Sequence, residues 1–563
     1  MFRVFLFLVS LLLIVLGAFG IVEAGQPARP RPFTVAVPMR DGKHLAADIF
    51  LPAAKGRFPT ILIFTPYNRK TLGAAVPAVE LRSDLIDRDH YAFVIADWRG
   101  FFGSRDAAVK RRSPFATVGT DGYDLVEWIA RQKWSDGKVG MWGASALGAA
   151  QYRTAIEKPP HLVCIVPVVI RFGVAYEHRY YGGVLKRSNL IAREQAGFKG
   201  SAETFIAHPV RDRWWEYIEA ASHWRLKDLD LPVFTIGGWY DTETDATIDT
   251  FQKIRAKAGP RARRNVKMLI GPWNHVDAAA GKRIVGELEF PEAERVSEKE
   301  AHRFFDYWLR GKTDNGWADE PAVRWFQMGS RQWEHADSWP PAETQDRVWY
   351  LRSGGVLAPE PEDGECEPDT FRYDPNDPSP TVGGMNLYIF WKKDAQEITS
   401  GPKDQRAKVE SRNDHVAYTS EALAEDVVLR GNARVRLHVS SNCVDTDFMV
   451  RLCDVYPDGR SMLVTDGARR MRFRKSFEEP ELMEPGKVYE VTVTLAVTAH
   501  TFRKGHQIRI LVSSSNYPRF DVNPNNGEHF LTDRAKARVA ENRIYHDATH
   551  VSALFLPVAA RDR

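Results

Sequence analysis

Three side chains whose types suit acyl transfer follow one another in a fixed order along the chain. Ser145, Asp241 and His275 are a nucleophile, an acid and a base, and each follows a short apolar run and a glycine-containing turn. In a triad of this kind the histidine takes the serine proton, and the acid orients the imidazole and stabilises its charged form. The pattern predicts a serine that attacks a carbonyl carbon and passes through an acyl-enzyme.

The segment around Ser145 is typical of a nucleophile turn. Residues 139–148 read as an apolar strand, a tight turn and the start of a helix, with small residues on both sides of the serine. Small neighbours let the backbone approach closely at a strained strand-to-helix turn. The second glycine of the usual G-x-S-x-G pattern stands one position later, at Gly148. The helix start at Ala146 would offer a backbone N–H to a developing oxyanion.

Other residues compete for the acid and base roles. Asp245 and Asp277 are rival acids, but Asp277 is only two residues from His275 and is poorly placed to reach round the ring. His302 and His335 do not follow a predicted strand, which favours surface or core roles for them. The serine, acid, histidine order is that of α/β hydrolases, so we expect Asp241 and His275 to act.

Short apolar runs alternate with helical stretches through the first half of the chain. The runs lie at 61–64, 93–96, 139–142, 163–169, 233–236 and 266–270, with helical stretches such as 123–132 and 247–257 between them. Strands without a polar face that alternate with helices predict a mostly parallel sheet covered on both sides. Asp241 and His275 would then lie beyond the carboxyl ends of strands, where open α/β sheets place their sites.

This alternation is interrupted twice. Residues 171–230 are rich in Arg, Tyr, Trp and Glu and predict a helical cap, whereas from 347 onward period-2 segments between Gly, Pro, Asn and Asp predict an all-β sandwich. The predicted fold class is therefore an α/β hydrolase, a doubly wound and mostly parallel sheet, with these two additions. The predicted divisions are a signal peptide at 1–24, the core at 25–170 and 231–346, the cap at 171–230 and the β domain at 347–563.

The N-terminus has the pattern of an export signal. Arg3 precedes an apolar run over residues 4–22, and Val22 and Ala24 place small residues where a signal peptidase reads. We predict cleavage after Ala24 and a periplasmic or secreted protein. Because the run is nearly long enough to cross a bilayer, an uncleaved N-terminal anchor is the alternative.

Charge and cysteine usage limit the partners. The 77 basic and 73 acidic residues give a net charge of only +4, so nucleic acid is not an implied partner. The four cysteines form no C-x-x-C pair and no His/Asp/Glu cluster has ligand spacing, so no metal or organic cofactor is predicted. A disulfide between Cys443 and Cys453 stays open, although ten residues of one strand span about 33 Å. A homo-oligomer also stays open.

Several blocks in this order resemble the superfamily of serine hydrolases that contains cocaine esterase, X-prolyl dipeptidyl-peptidases and α-amino acid ester hydrolases. In the first half these blocks are residues 65–69, 97–104, 121–124 with 127–129, 134–140, 238–241 and 271–275. In the second half, residues 445–448, 454–459 and 513–520 resemble the C-terminal jelly-roll domain of that superfamily. The resemblance implies an α/β hydrolase with a jelly-roll β-sandwich at its C-terminus.

The resemblance also implies a second oxyanion donor. Tyr67 matches a family tyrosine whose hydroxyl shares this role with the backbone N–H after the serine, here that of Ala146. A neutral phenol aimed at developing negative charge contributes on the order of 3 kcal/mol. The family commonly has a bulky aromatic residue where this chain has Ala146, so we expect a roomier pocket. We interpret Asp97 and Arg99 as a structural ion pair.

Three functions are consistent with the sequence. The leading prediction is hydrolysis of an ester or amide of a small molecule or short peptide, with unspecified acyl and leaving groups. Removal of X-Pro dipeptides would need a carboxylate cluster around a free α-ammonium group, for which the cap offers Glu177, Glu194, Glu203, Asp212, Glu216 and Glu219. A non-catalytic surface binding protein is a distant third, because the Ser, Asp and His set is complete.

Overall fold

A ten-stranded, mostly parallel sheet forms the centre of the first half of the chain. The computed structural model describes residues 30–72, 89–110, 115–387 and 400–559, so the predicted signal peptide lies outside it. The strand order is β1-β2-β4-β3-β5-β6-β9-β10-β13-β14, and the strands from β4 to β13 run parallel to one another. The bounds are β1 Phe33–Pro38, β2 His44–Phe50, β3 Phe58–Thr65, β4 Ala92–Asp97, β5 Ser135–Ala144, β6 Leu162–Val168, β9 Val233–Tyr240, β10 Val266–Asn274, β13 Val323–Gln327 and β14 Gln332–Ala336.

The predicted parallel sheet is confirmed, and an antiparallel hairpin of β1 and β2 extends it at one edge. Every residue of β4 and β9 is buried, as expected for strands with helices on both faces. The helices of this half, outside the cap, are α1 Val118–Ala130, α2 Ala146–Ala155, α6 Thr244–Lys257, α7 Pro260–Asn265 and α8 Val296–Arg310. Helix α8 ends at Gly311, whose φ of 72° is the left-handed conformation that terminates many helices.

The cap is built from three helices and a short hairpin. Its elements are β7 Tyr180–Tyr181, β8 Val184–Leu185, α3 Arg187–Gln195, α4 Ser201–Ile206 and α5 Arg213–His223. The hairpin was not predicted, because strands of two residues leave no periodicity in a sequence. Its turn packs closely on the C-terminal domain, since a Cβ on Gly182 would lie 1.8 Å from the carbonyl oxygen of Ala468.

The C-terminal half is all-β, as predicted, and has its own hydrophobic core. Its thirteen described strands are β15 Thr344–Arg352, β16 Val356–Ala358, β17 Asp369–Tyr373, β18 His415–Ser420, β19 Val427–Gly431, β20 Arg434–Ser441, β21 Asp447–Val455, β22 Ser461–Arg470, β23 Tyr489–Thr494, β24 Thr498–Phe502, β25 Gln507–Ser513, β26 Ala540–Tyr545 and β27 Ala553–Ala559. A two-stranded piece, β11 Ile284–Val285 and β12 Leu288–Glu289, precedes α8.

The cysteines answer the question of a disulfide, whereas the apolar run over residues 4–22 lies outside the described residues. All four cysteines are free thiols, so Cys443 and Cys453 are not joined. Cys453 lies within β21 and Cys443 precedes that strand, which keeps the two apart. Within the described ranges, no helix is both long and apolar enough to cross a membrane.

Candidate active site

Ser145 occupies a strained turn between β5 and α2. Its φ of 58° and ψ of −120° are a conformation that a residue with a side chain rarely adopts. The serine N–H donates to the carbonyl of Val168 at the end of β6, at 2.9 Å, which fixes the turn to the neighbouring strand. The side chain is half-buried and lines a cavity of about 1200 Å³. The turn therefore holds the hydroxyl out toward a space large enough for a substrate.

The small residues around the serine are required by space. Gly143 has a φ of 138°, and a Cβ there would lie 2.6 Å from the side chain of Leu147. A Cβ at Gly148 would lie 2.5 Å from Ile170 and 3.1 Å from the carbonyl of Gly143. Gly148 thus provides the close approach that the sequence analysis assigned to the second glycine of the motif, although it stands one position later.

Asp241 and His275 are brought together by strand register. Tyr240 and Asn274 are paired positions on the parallel strands β9 and β10, so the next residue of each strand lies beside the other. His275 Nδ1 and Asp241 Oδ1 are 2.6 Å apart. Asp241 is fully buried, and a Cβ on Gly238 would lie 2.2 Å from the Trp273 carbonyl, so the two strands approach closely just before the site.

The rival acids have other partners. Asp277 forms an ion pair with Lys282 at 2.8 Å. Asp245 accepts hydrogen bonds from the Asn432 side chain at 3.0 Å and the Val497 N–H at 3.1 Å, both in the C-terminal domain. Neither carboxylate contacts His275 in the described structure. Of the other histidines, His302 lies 3.8 Å from Asp306 and His335 is exposed on β14.

Burial and charge set the proton affinity of the imidazole. Burial on its own would lower the pKa of His275, but the adjacent Asp241 outweighs it, and the pKa is raised above its ordinary value. The Nδ1 atom is engaged with Asp241, so the Nε2 atom remains for exchange of a proton with a neighbour. This arrangement suits a base that must become a stabilised cation.

The hydroxyl of Tyr67 also lies near the serine. Its hydroxyl oxygen is 3.5 Å from Ser145 Oγ, and Ala146, the first residue of α2, lines the same cavity. Burial raises the pKa of Tyr67, an effect that Ser145 and the Ala146 backbone reduce without reversing. The phenol is therefore protonated at neutral pH and can donate a hydrogen bond. Tyr67 and Ala146, to which the resemblance assigns the two oxyanion roles, line the same cavity as Ser145.

The predicted ion pair between Asp97 and Arg99 is wrong. Asp97 ends β4 and binds Arg69, accepting from its Nη1 at 2.7 Å and from its backbone N–H at 2.8 Å. Arg99 binds Asp121 at 2.6 Å and Asp41 at 2.9 Å instead. Since β4 ends at Asp97, the two residues do not share a strand face. Both remain structural, and Asp97 fixes the segment that carries Tyr67.

The cap acids that a free α-ammonium group would need do not line this cavity. Among its described lining residues the carboxylates are Glu157, Glu243 and Glu298. Glu243 was missed in the sequence analysis, as were three arginines of the lining: Arg171, Arg179 and Arg193. The only signal was their position, since Glu243 follows Asp241 by two residues and Arg171 follows β6 by three.

One group in the described chain has ligand atoms close enough to hold a metal ion, and it lies in the C-terminal domain. It consists of Glu362, Cys366 and His546. Cys366 Sγ and His546 Nδ1 are 3.2 Å apart, and Asp369 lies 2.9 Å from His546 Nε2. Glu362 accepts a hydrogen bond from the Ser353 N–H. Each of the three groups thus has a hydrogen-bond partner, and none of them lines the cavity at Ser145.

Comparisons with known proteins agree with this architecture. The pattern of the X-Pro dipeptidyl-peptidase (S15 family) matches residues 41–203 and 192–277. The pattern of the X-Pro dipeptidyl-peptidase C-terminal non-catalytic domain matches residues 315–554. Cocaine esterase of Rhodococcus sp. (strain MB1 Bresler) is 32% identical over 588 residues, covering 94% of this chain and 98% of that protein.

Two solved structures share the whole fold. An aminopeptidase from the marine sediment archaeon Thaumarchaeota archaeon superposes with a TM-score of 0.80 at 22% identity, covering 96% of this chain and all of the other. An α-amino acid ester hydrolase superposes with a TM-score of 0.79 at 23% identity, with the same coverage. These two structures share the fold; the cocaine esterase match, which spans nearly the full length of both proteins, and the S15 pattern show that the chain belongs to the S15 family of α/β serine hydrolases.

Proposed function

We propose that this chain hydrolyses esters or amides of small molecules through an acyl-enzyme on Ser145. The observation that carries the proposal is the strained serine turn in a large cavity that Tyr67, Ala146 and His275 also line. His275 would take the Ser145 proton on Nε2 as Oγ bonds to the substrate carbonyl carbon. Asp241 would stabilise the resulting imidazolium through the 2.6 Å contact with Nδ1.

The negative charge that forms on the carbonyl oxygen would be stabilised by the Tyr67 hydroxyl and the Ala146 N–H. Collapse of the tetrahedral intermediate would expel the leaving group, which receives the proton from His275. Water would then repeat the sequence on the acyl-serine, with His275 again acting first as base and then as acid. No step in this sequence calls for a metal or an organic cofactor.

The charges around the cavity favour hydrolysis of small-molecule esters or amides over removal of X-Pro dipeptides. Free α-ammonium groups need carboxylates that are not already neutralised. Glu243 is bound by Arg171, Glu157 pairs with Arg225, and Glu298 lies 3.2 Å from Arg295. Two of the proposed cap acids are also engaged, Asp212 with His208 and Glu219 with Arg211.

The test uses two chromogenic substrates and a labelling reagent. A short-chain p-nitrophenyl ester and a free-amine Ala-Pro p-nitroanilide are supplied to the purified protein and to Ser145→Ala. We expect hydrolysis of the ester, little of the anilide, and labelling by a fluorophosphonate only when Ser145 is present. Unlabelled wild-type protein would revive the non-catalytic surface binding protein. Anilide cleavage that N-blocking abolishes would favour the dipeptidyl-peptidase.

We also propose that the protein is exported through its N-terminal signal. The support is the Arg3 residue, the apolar run over 4–22 and the small residues at Val22 and Ala24. N-terminal sequencing of the protein recovered from outside the cytoplasmic membrane should begin at Gly25. Recovery of the full N-terminus in the membrane fraction would instead identify an uncleaved anchor.

A further inference from the structure

Five arginines line the same cavity as the proposed nucleophile, and three of them, Arg171, Arg179 and Arg193, have a buried Nε without a hydrogen-bond partner in the described structure. Arg171 follows β6, Arg179 precedes the cap hairpin, and Arg193 lies on α3. Arg171 and Arg179 are only 7% and 3% exposed, so they are not surface groups in contact with bulk water. A guanidinium removed from water is costly unless an anion compensates it. The three positive charges therefore need anions that compensate them.

Among the described residues, one carboxylate forms ion pairs with these three guanidinium groups. Glu243 forms an ion pair with Arg171, and its other oxygen lies 3.9 Å from Arg179. In the described structure Arg193 has no ion pair, and its guanidinium lies over the ring of Phe198 at 5.3 Å. The other two acids of the lining, Glu157 and Glu298, are paired with arginines outside this group. The cluster thus carries two more positive charges than Glu243 neutralises.

The three arginines also have hydrogen-bond donors that lack acceptors. The buried Nε atoms of Arg171, Arg179 and Arg193 have no hydrogen-bond partner in the described structure. A buried N–H without an acceptor destabilises the protein unless a ligand supplies one. Burial would raise the pKa of Glu243, but Arg171, Arg179 and Lys186 outweigh it and lower the pKa to about 2. Glu243 is therefore already ionised and has no further charge to offer.

The cluster acts on the reacting groups themselves. The charge of Arg193 lowers the pKa of Tyr67, although burial remains the larger effect and raises it. The charge of Arg171 likewise opposes the raised pKa of His275. These directions agree with the geometry, in which the three arginines line the same cavity as Ser145, Tyr67 and His275, so one small substrate could contact both sets of groups.

We infer that Arg171, Arg179 and Arg193 form a subsite for a carboxylate carried by the substrate, so that the preferred esters are anionic, such as half-esters of dicarboxylic acids. The inference rests on the proposed function, because it assigns the chemistry of the substrate that Ser145 attacks. A planar guanidinium fork matches a carboxylate with two parallel hydrogen bonds, which a lysine or a neutral donor cannot reproduce. The same surplus charge would repel the free α-ammonium group of a dipeptide substrate.

A matched substrate pair tests the inference directly. The anionic member is mono-p-nitrophenyl adipate and the neutral member is its methyl ester, p-nitrophenyl methyl adipate, which has the same acyl chain and leaving group. We expect kcat/KM to favour the anionic ester by about 10- to 100-fold, the size of charge-assisted hydrogen bonds. The inference would be overturned by equal kcat/KM values for these two esters, provided that Arg193 also has no effect on a second pair of esters in which the leaving group carries the carboxylate.

Variants then assign the preference to the cluster. Arg193→Gln should reduce the ratio of the two kcat/KM values about tenfold, and Arg193→Lys should leave an intermediate ratio. Arg283→Gln, which removes an exposed arginine outside the cavity, should leave the ratio unchanged. A second pair, 4-acetoxybenzoate and its methyl ester, carries the carboxylate on the leaving group. A dependence on Arg193 in this pair alone would keep the subsite and place it on the leaving-group side.

Binding without turnover separates this inference from the proposed function. Adipate should raise the melting temperature of Ser145→Ala, and dimethyl adipate at the same concentration should not. If adipate binds while neither p-nitrophenyl ester is cleaved by the wild type, the proposed hydrolysis fails and the carboxylate subsite stands. If the esters are cleaved without any charge preference and adipate does not bind, the hydrolase stands and the subsite fails.

Discussion

Tyr240 and Asn274 are register partners on β9 and β10, and this pairing places Asp241 beside His275. The acid and the base therefore come from two adjacent strands that end at the same level. Gly238 makes this possible, because the Trp273 carbonyl occupies the space that a side chain there would need. A contact defined by sheet register resists rearrangement more than one made between loops.

Replacement of Asp241 should lower activity far more than replacement of the rival acid Asp277. Asp241→Asn is expected to lower kcat about 10⁴-fold, because the asparagine favours the wrong tautomer of His275 and cannot stabilise its cation. Asp277→Asn is the matched control, since that carboxylate pairs with Lys282 and should cost little activity. Steady-state hydrolysis of a p-nitrophenyl ester measures both, and equal losses would contradict the assignment of Asp241.

Loss of the phenol should affect the transition state and not substrate binding. Tyr67→Phe is expected to lower kcat about 10²- to 10³-fold with little change in KM, as for other oxyanion donors. Tyr217→Phe, at a tyrosine that is 73% exposed, is the control and should behave as wild type. A Tyr67→Phe enzyme with a raised KM and an unchanged kcat would show that the tyrosine binds substrate instead.

Asp97 should act on the reaction only through the segment that carries Tyr67. Asp97→Asn weakens the buried pair with Arg69, and we expect a lower melting temperature together with a reduced kcat. In the Tyr67→Phe background the same change should reduce stability but cost no further kcat. A full additional loss in the double variant would mean that Asp97 supports activity by another route.

As the pH falls, activity should be lost with a midpoint above the usual pKa of histidine. Protonated His275 cannot accept the Ser145 proton, so activity is lost as the pH falls through the pKa of His275. Because Asp241 raises that pKa, the midpoint in kcat/KM is expected above about 6.5. A midpoint below that value would show that burial, and not the carboxylate, controls the imidazole.

The parallel sheet and the strand-end side chains could be predicted because both leave local patterns. Each strand before Ser145, Asp241 and His275 is an apolar run, and the residue that follows such a run lies at one edge of the sheet. The arginine cluster leaves no such pattern. Arg171 and Glu243 are 72 positions apart, and charged residues in a helical segment default to solvent. Only the folded chain shows which of the many arginines are buried.

The error at Asp97 and Arg99 has a similar cause. Opposite charges two residues apart suggest a local pair, but both side chains are taken by partners that are distant in sequence, Arg69 for the first and Asp121 for the second. Buried charges take the partner that satisfies the most hydrogen bonds, and sequence separation has no part in that choice.

The close contact between Gly182 and Ala468 has a consequence for how this architecture can change. The cap lines the cavity on one side and packs on β22 on the other, so the C-terminal domain supports the part of the cavity wall that the cap provides. Truncation before β15 would remove that support even though every residue of the proposed triad would remain. Substitutions far from the serine, on a surface with no chemistry of its own, can therefore alter which molecules the enzyme accepts.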